Sequence, residues 1–257
     1  MELSIQFSLD GFSFCISNLE NKKTLYFSEY TFKETQNSPK ELLNKIKIIF
    51  KEDHNLQHEF TSVVVIHENN LNTLVPNLYF NEALLKTYLD YNIKTLKTDF
   101  IAFDDVENFS LKNVYVPYVN INNYLFQNFG EFEYKHHTTV FLEKLRNVKK
   151  FDEKIMFVNV STNNCYIVVL DNNNLLFSNS FTYQTKEDFL YYLLFTAEQL
   201  ELDTNTFKLY FSGLIDTTSE IYKIAFTYIR NIYFLEGNNA ILEDVNTPKH
   251  ANYILLG

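Results

Sequence analysis

Ile155-Met156-Phe157-Val158-Asn159-Val160, Cys165-Tyr166-Ile167-Val168-Val169-Leu170 and Leu175-Leu176-Phe177-Ser178-Asn179-Ser180 are three apolar-rich runs. The polar tetrads Ser161-Thr162-Asn163-Asn164 and Asp171-Asn172-Asn173-Asn174 separate them. Runs of β-branched and aromatic residues bounded by turn formers read as strands, so residues 155–180 predict a three-stranded antiparallel meander. The same plan stands near the N-terminus. Leu3-Ser4-Ile5-Gln6-Phe7-Ser8 alternates at the strand period and turns at Leu9-Asp10-Gly11. Phe12-Ser13-Phe14-Cys15-Ile16 runs back, and Leu25-Tyr26-Phe27-Ser28-Glu29-Tyr30 follows a polar turn. The chain is therefore read as a duplication.

Working outward, each meander precedes a capped helix. Ser38-Pro39-Lys40-Glu41 is a capping box with proline at the first helical position, followed by an apolar stripe of Leu42, Leu43, Ile46, Ile49 and Phe50. Thr185 precedes a second helix with Leu190, Leu193, Leu194, Ala197 and Leu200 at the same spacing. Fourth strands are expected at 62–67 and 207–212, and second helices at 82–91 and 218–230, the latter capped by Thr217 and Glu220. Fifth strands are expected at 99–103 and 232–235. Both halves then read β-β-β-α-β-α-β, an α/β fold of two lobes with mixed five-stranded sheets flanked by helices. The expected boundaries are 1–103 for the first lobe, 104–150 for an inter-lobe segment packed on the lobes, and 151–257 for the second lobe.

Composition excludes several classes. The 257 residues are 46% hydrophobic and 21% charged, with a formal net charge of −10. A chain this long buries roughly 70–75% of its unfolded surface and needs no disulfide or metal staple. Its apolar runs, such as Val63-Val64-Val65-Ile66, are far shorter than the ~20 residues of a membrane helix, so no membrane insertion is expected. The N-terminus shows no basic segment followed by an apolar one, so no signal peptide is expected. Two cysteines, Cys15 and Cys165, make no framework and point to a reduced cytoplasm. The acidic balance argues against nucleic acid as a partner. Phe (25), Tyr (18) and Asn (31) are abundant, whereas the five glycines compare with about eighteen at average usage. That scarcity limits any mechanism built on glycine-rich loops.

The tandem β-β-β-α-β-α-β plan resembles the actin-like superfamily, whose halves are each ribonuclease-H-like. Sugar kinases, actins, heat-shock chaperone ATPases and the cytoplasmic scaffolds of pilus assembly belong to it. The whole chain also resembles a bacterial family of unknown function with a degenerate actin-like fold. The resemblance implies ATP and Mg²⁺ between the lobes, with phosphates on the first hairpin turn of each half and adenosine on a glycine loop after the second half's fourth strand. Carried over residue by residue, the nucleotide-binding positions are Ser8, Asp10 and Gly11, then Ser161 and Asn163, then Ser212 and Gly213. The match departs from the superfamily pattern at most of them. Ser8 stands where the strand-end aspartate belongs, the second turn has neither carboxylate nor glycine, and the adenosine loop keeps one glycine in Phe211-Ser212-Gly213-Leu214-Ile215. Gly130, Gly237 and Gly257 lie elsewhere.

Other constellations are weaker. Asp10, Glu41 and Glu68 lie roughly where a nuclease would gather carboxylates, but Ser4, Gln6 and Ser8 occupy the first strand in place of a central aspartate. His54 and His58 have helical ligand spacing without a third ligand nearby. His136 and His137 are chain neighbours, whose side chains are expected to point apart, and Asp104-Asp105 is expected to end a strand in solvent. No metal site is expected. Tyr115, Pro117, Tyr118, Tyr124, Phe126, Phe129, Phe132 and Tyr134 make the segment after residue 104 dense in aromatics, which suits either an interface or packing. The expected function is a non-catalytic actin-like scaffold with a protein partner, homodimerisation included, and no bound cofactor. The alternative is an ATP-binding switch or small-molecule kinase using an unconventional cleft.

Overall fold

The computed structural model describes residues 1–146, 148, 153–237 and 248–256. The expected boundary at 150 and 151, and Gly257, lie outside the described residues. Among those described, the chain divides into two compact units, residues 1–146 and residues 153–237 with 248–256.

In the first unit β1 (Glu2–Ser8) pairs antiparallel with β2 (Gly11–Ser17), and β3 (Thr24–Thr31) joins β2. Strict alternation along β1 buries Leu3, Ile5 and Phe7 on one face. α1 (Pro39–Glu52) crosses that face, burying Leu42, Ile46, Ile49 and Phe50. Its start is set by Ser38, whose Oγ accepts the Glu41 N–H at 3.3 Å. β4 (Ser62–His67) then lies parallel to β1. An excursion follows: β5 (Asn72–Pro76), α2 (Leu85–Asp90), β6 (Ala102–Val106) and β7 (Leu111–Tyr115). These strands form a separate antiparallel sheet in the order β5-β7-β6, with its own small core of Val75, Leu89, Val114 and Val116. α3 (Val119–Phe129) packs on α1, β8 (Glu133–His136) adds parallel to β4, and α4 (His137–Arg146) follows. The first sheet has the order β3-β2-β1-β4-β8.

The second unit repeats this topology without the excursion. β9 (Lys154–Val160), β10 (Asn164–Asp171) and β11 (Asn174–Thr182) form the meander, and Asn172 and Asn173 turn it with φ of 47° and 63°. Asparagine tolerates this left-handed pair, which matches the twist of a two-residue hairpin. α5 (Lys186–Gln199), β12 (Lys208–Gly213), α6 (Glu220–Tyr228), β13 (Asn231–Phe234) and α7 (Tyr253–Leu256) complete it, in the sheet order β11-β10-β9-β12-β13. Both sheets are five-stranded and mixed, as the duplicated pattern requires.

Thr185 begins α5 with a reciprocal box: its Oγ1 accepts the Asp188 N–H at 3.1 Å, and Asp188 Oδ2 accepts the Thr185 N–H at 3.0 Å. Removing that acceptor leaves a helix-end donor without its partner. Thr185→Ala is expected to destabilise by about 1 kcal/mol, lowering Tm by about 2–4 °C in a thermal scan. An unchanged Tm would show that the box contributes nothing.

Three expectations are corrected. The fifth strand of the first sheet is β8, not 99–103; residues 102–106 pair antiparallel with β7 in the separate sheet. The helix at 82–91 covers that same sheet, and the counterpart of α6 is α3, the helix that packs on α1 and leads into β8. Residues 104–146 accordingly group with the first unit. Finally, Ser219 rather than Thr217 caps α6, its Oγ accepting the Tyr222 N–H at 3.4 Å. The aromatic-dense segment is mostly packing: Tyr115 and Tyr118 are buried, and Tyr124, Phe129, Phe132 and Tyr134 line the core under β1 and α1, while Phe126 is exposed. Among the described residues no helix is long and apolar enough to cross a membrane.

Candidate functional site

The positions implied by resemblance fall into two groups, one in each unit. In the first, Leu9 and Asp10 turn β1 into β2, with Ser8 opposite Gly11. The turn is bonded within its own unit. The Asp10 N–H donates to Ser8 Oγ at 3.1 Å, the Asp10 carbonyl accepts from the Phe32 N–H at 2.9 Å, and Thr35 Oγ1 donates to the Asp10 carboxylate. A Cβ on Gly11 would sit 3.0 Å from the Tyr30 carbonyl oxygen, so glycine here serves the approach of β3.

In the second unit, Ser161 and Asn163 lie in the turn between β9 and β10. The Ser161 N–H donates to the Asn164 carbonyl at 2.8 Å, and the Tyr183 hydroxyl donates to the Ser161 carbonyl at 2.8 Å. The Asn163 carbonyl accepts from the Tyr183 N–H at 2.9 Å. Ser212 and Gly213 end β12 beside Asn159 and Val160, and Ser212 Oγ donates to Asn159 Oδ1 at 3.0 Å. Gly213 has φ of +85°, and its N–H donates to the His250 carbonyl at 2.8 Å. His250 itself bonds the Ile215 carbonyl through Nε2 at 2.7 Å and stacks on Phe234 with ring centroids 4.2 Å apart. The C-terminal segment is thus hydrogen-bonded to the loop that the resemblance assigns to adenosine. Three backbone donors of the phosphate and adenosine loops, at Asp10, Ser161 and Gly213, are already engaged.

A different polar cluster lies buried in the first unit. His67 ends β4, His136 ends β8 beside it, and His137 begins α4. The Asn69 carbonyl accepts from Nε2 of both His136 and His137, at 3.1 Å each, and the two ring centroids are 4.5 Å apart. The neighbours do not point apart, because the strand ends between them and the helix redirects the second ring. Asp104 is also not a solvent residue. Its carboxylate accepts from the Tyr115 hydroxyl at 2.9 Å, the His136 N–H at 2.8 Å and Thr139 Oγ1 at 2.7 Å. Burial pushes the Asp104 pKa up, against the pull of those donors. Burial also lowers His67 to about 4 and His136 well below its ordinary value, the latter helped by His137 and His67. Periodicity gave no sign of this cluster. Its only trace in the sequence is the concentration of bonding side chains in His67-Glu68-Asn69-Asn70-Leu71-Asn72 and His136-His137-Thr138-Thr139.

The remaining candidates do not assemble into a site. His54 and His58 are exposed around a short 3-10 turn after α1. Glu41 accepts the Asn37 N–H at 2.9 Å near the start of α1, and Glu68 accepts from Gln6 Nε2 at 2.8 Å. Among the described residues no group of three or more His, Cys, Asp or Glu is arranged to hold a metal ion. Cys15 and Cys165 are buried thiols that burial pushes up to about 11 and about 12, opposite to what a nucleophile needs.

Comparison with known proteins gives the family and the fold. The family DUF3822, described as protein of unknown function, matches residues 1–232. No curated protein matches the chain. Among solved structures, a Bacteroides thetaiotaomicron protein with actin-like ATPase fold and unknown function is 22% identical, with 91% of this chain and 90% of that chain covered and a TM-score of 0.81. The PilM–PilN type IV pilus biogenesis complex is similar at 12% identity, 91% and 88% coverage and a TM-score of 0.61. The ethanolamine utilization protein EutJ of Carboxydothermus hydrogenoformans is similar at 6% identity, 98% and 86% coverage and a TM-score of 0.51. With its two five-stranded sheets of one topology, the chain has an actin-like fold and belongs to the DUF3822 family of proteins of unknown function.

Proposed function

We propose that this protein is a non-catalytic interaction module on an actin-like fold, contacting a protein partner through residues 77–100, which link β5 to β6 in the insertion after β4. The observation that carries the reading is the exposed apolar surface of that insertion. Leu78 is 85% exposed, Tyr91 83%, Tyr79 70% and Leu96 62%, with Phe100 and Leu84 also open. Six large apolar side chains exposed within twenty-three residues are the composition of a contact surface. The engaged donors at Asp10, Ser161 and Gly213 support the non-catalytic half of the reading, since a phosphate cradle needs such groups available. The PilM–PilN complex supports the other half, as an assembly that includes a chain of similar fold.

Two measurements test it. Millimolar Mg-ATP is expected to leave Tm unchanged. A ligand at 100 times its Kd would add about 2.7 kcal/mol, or roughly 5–10 °C, and a rise of that size overturns the non-catalytic reading in favour of an ATP-binding switch or kinase. In-cell crosslinking with the folded double variant Leu78→Glu, Tyr91→Glu is expected to lose the adducts formed by the wild type. Retention of the same adducts would remove the insertion as the contact surface.

A further inference from the structure

Among the described residues the three sheets leave six edge strands, and an unprotected edge invites another strand to pair with it. Five of them carry a feature that discourages pairing. In β3 Glu29 is exposed, β8 is four residues long with Glu133 and Lys135, β13 is four residues long, β5 ends in Pro76, and β6 carries Asp104 and Asp105. β11 differs. Its nine residues, Asn174–Thr182, contain no charge and no proline. Its one register shift falls opposite Val169 and Leu170, at the Leu175–Phe177 end, and leaves Phe177–Thr182 regular. The Tyr183 N–H donates to the Asn163 carbonyl, so by the alternation of an antiparallel ladder the odd-numbered residues bond β10. Ser178, Ser180 and Thr182 therefore turn their backbone groups outward, and the Ser180 N–H donates to Asn179 Oδ1 at 2.9 Å rather than to β10. An aromatic shelf stands beside this rim. Phe181 stacks on Tyr192 with centroids 4.5 Å apart, Tyr192 meets Tyr191 at 5.5 Å, and Tyr191 stacks on Phe195 at 5.6 Å. Tyr191 and Phe195, one turn apart on α5, are both exposed.

We propose that β11 is the contact between two copies of this chain. The two edges pair antiparallel about a two-fold axis, joining two five-stranded sheets into one, and the α5 shelves close over the seam. The occupant follows from charge and symmetry. A chain of net charge −10 repels its own copy, so self-association needs a surface free of charge. Like charges set opposite one another also weaken a strand pair. Centred on Ser178, self-pairing sets each residue of 174–182 against another neutral one. An uncharged strand offers a partner of opposite charge nothing to select. A two-fold axis normal to the sheet keeps both α5 helices on one face, where the exposed Tyr191 and Phe195 of each copy cover those of the other. This contact is separate from the one proposed for residues 77–100.

Sedimentation of the full chain over a concentration series up to about 100 μM is expected to show a species of twice 30.5 kDa. Amide exchange at Ser178 and Thr182 is expected to slow as that species forms, because pairing gives their outward N–H groups acceptors. Three outcomes overturn the proposal: a 30.5 kDa species throughout, which would leave the edge to a foreign strand; growth beyond a dimer; or a dimer whose Ser178 and Thr182 amides exchange as fast as the monomer's. Ser180→Pro removes an outward donor without breaking the β10 ladder, and Tyr191→Glu with Phe195→Glu charges the shelf at exposed positions. Each variant is expected to lose the dimer at concentrations where the wild type forms it. Should Ser180→Pro fail to fold, the shelf variant decides, and a dimer retained by that folded variant overturns the proposal. The double variant Leu78→Glu, Tyr91→Glu is expected to dimerise like the wild type, and loss of the dimer there would place the contact elsewhere and overturn it too.

Discussion

Replacing Gly213 by alanine is expected to destabilise the second unit by at least about 4 kcal/mol, the range reserved for severe single-site damage. Two independent causes act at this position. Its φ of +85° is a conformation that an L side chain resists, and the added Cβ would lie 2.1 Å from the Val160 carbonyl oxygen and 2.9 Å from the Val160 nitrogen. Those atoms belong to the backbone of the central strand β9, whose neighbours β10 and β12 hold it on both sides. The same carbonyl accepts the Leu214 N–H at 2.7 Å, so relief of the clash also breaks the loop. Chemical denaturation of the soluble variant, or its failure to accumulate, is the measurement. Gly11→Ala is the control: its Cβ meets only the Tyr30 carbonyl at 3.0 Å with an ordinary φ, and a cost of about 1 kcal/mol is expected. A Gly213→Ala protein as stable as wild type would return this glycine to the role of a ligand-binding residue. The expected result makes it a packing glycine.

Asp104→Ala should cost the first unit about 3 kcal/mol. The substitution strands the Tyr115 hydroxyl, the Thr139 hydroxyl and the His136 N–H, all on fully buried residues. Each buried donor left without an acceptor costs roughly 1–3 kcal/mol. The sum is reduced because burying the carboxylate already works against the folded state, as its raised pKa shows. Asp104→Asn retains one acceptor oxygen, which can serve His136 and Thr139 while the Tyr115 hydroxyl reorients to accept from the amide. A loss of only about 1 kcal/mol is expected there. Urea denaturation of the two variants side by side checks the ordering. Equal losses would mean that the cost arises from lost volume rather than from the three donors.

Much of the fold was legible in local signals. The two meanders, the caps at Ser38 and Thr185, and the fourth strand at 62–67 all appear at or close to the expected residues, because strand alternation and helix capping involve only near neighbours in the chain. The first unit's last strand was misread for a physical reason. Asp99-Phe100-Ile101-Ala102-Phe103 is a largely apolar run, whereas Glu133-Tyr134-Lys135-His136 is short and polar. Only the packing of α3 on α1 brings that polar segment to the edge of β4. The resemblance assigned candidate nucleotide positions to Ser8, Asp10, Gly11, Ser161, Asn163, Ser212 and Gly213. The use of their backbone groups was hidden, because the partners of those turns, among them Phe32, Tyr183 and His250, stand well away in the sequence.

The amino-acid order by itself determined the duplicated β-β-β-α-β-α-β plan, the acidic charge and the shortage of phosphate-loop glycines. Each is a property of composition or of short-range periodicity. Tertiary structure alone decided that a second sheet interrupts the first unit, that His250 bonds the Gly213 loop, and that His67, Asn69, Asp104 and His136 meet. Parallel pairing across a crossover, and the burial of polar groups against one another, depend on contacts between residues far apart in the chain, which no local pattern records.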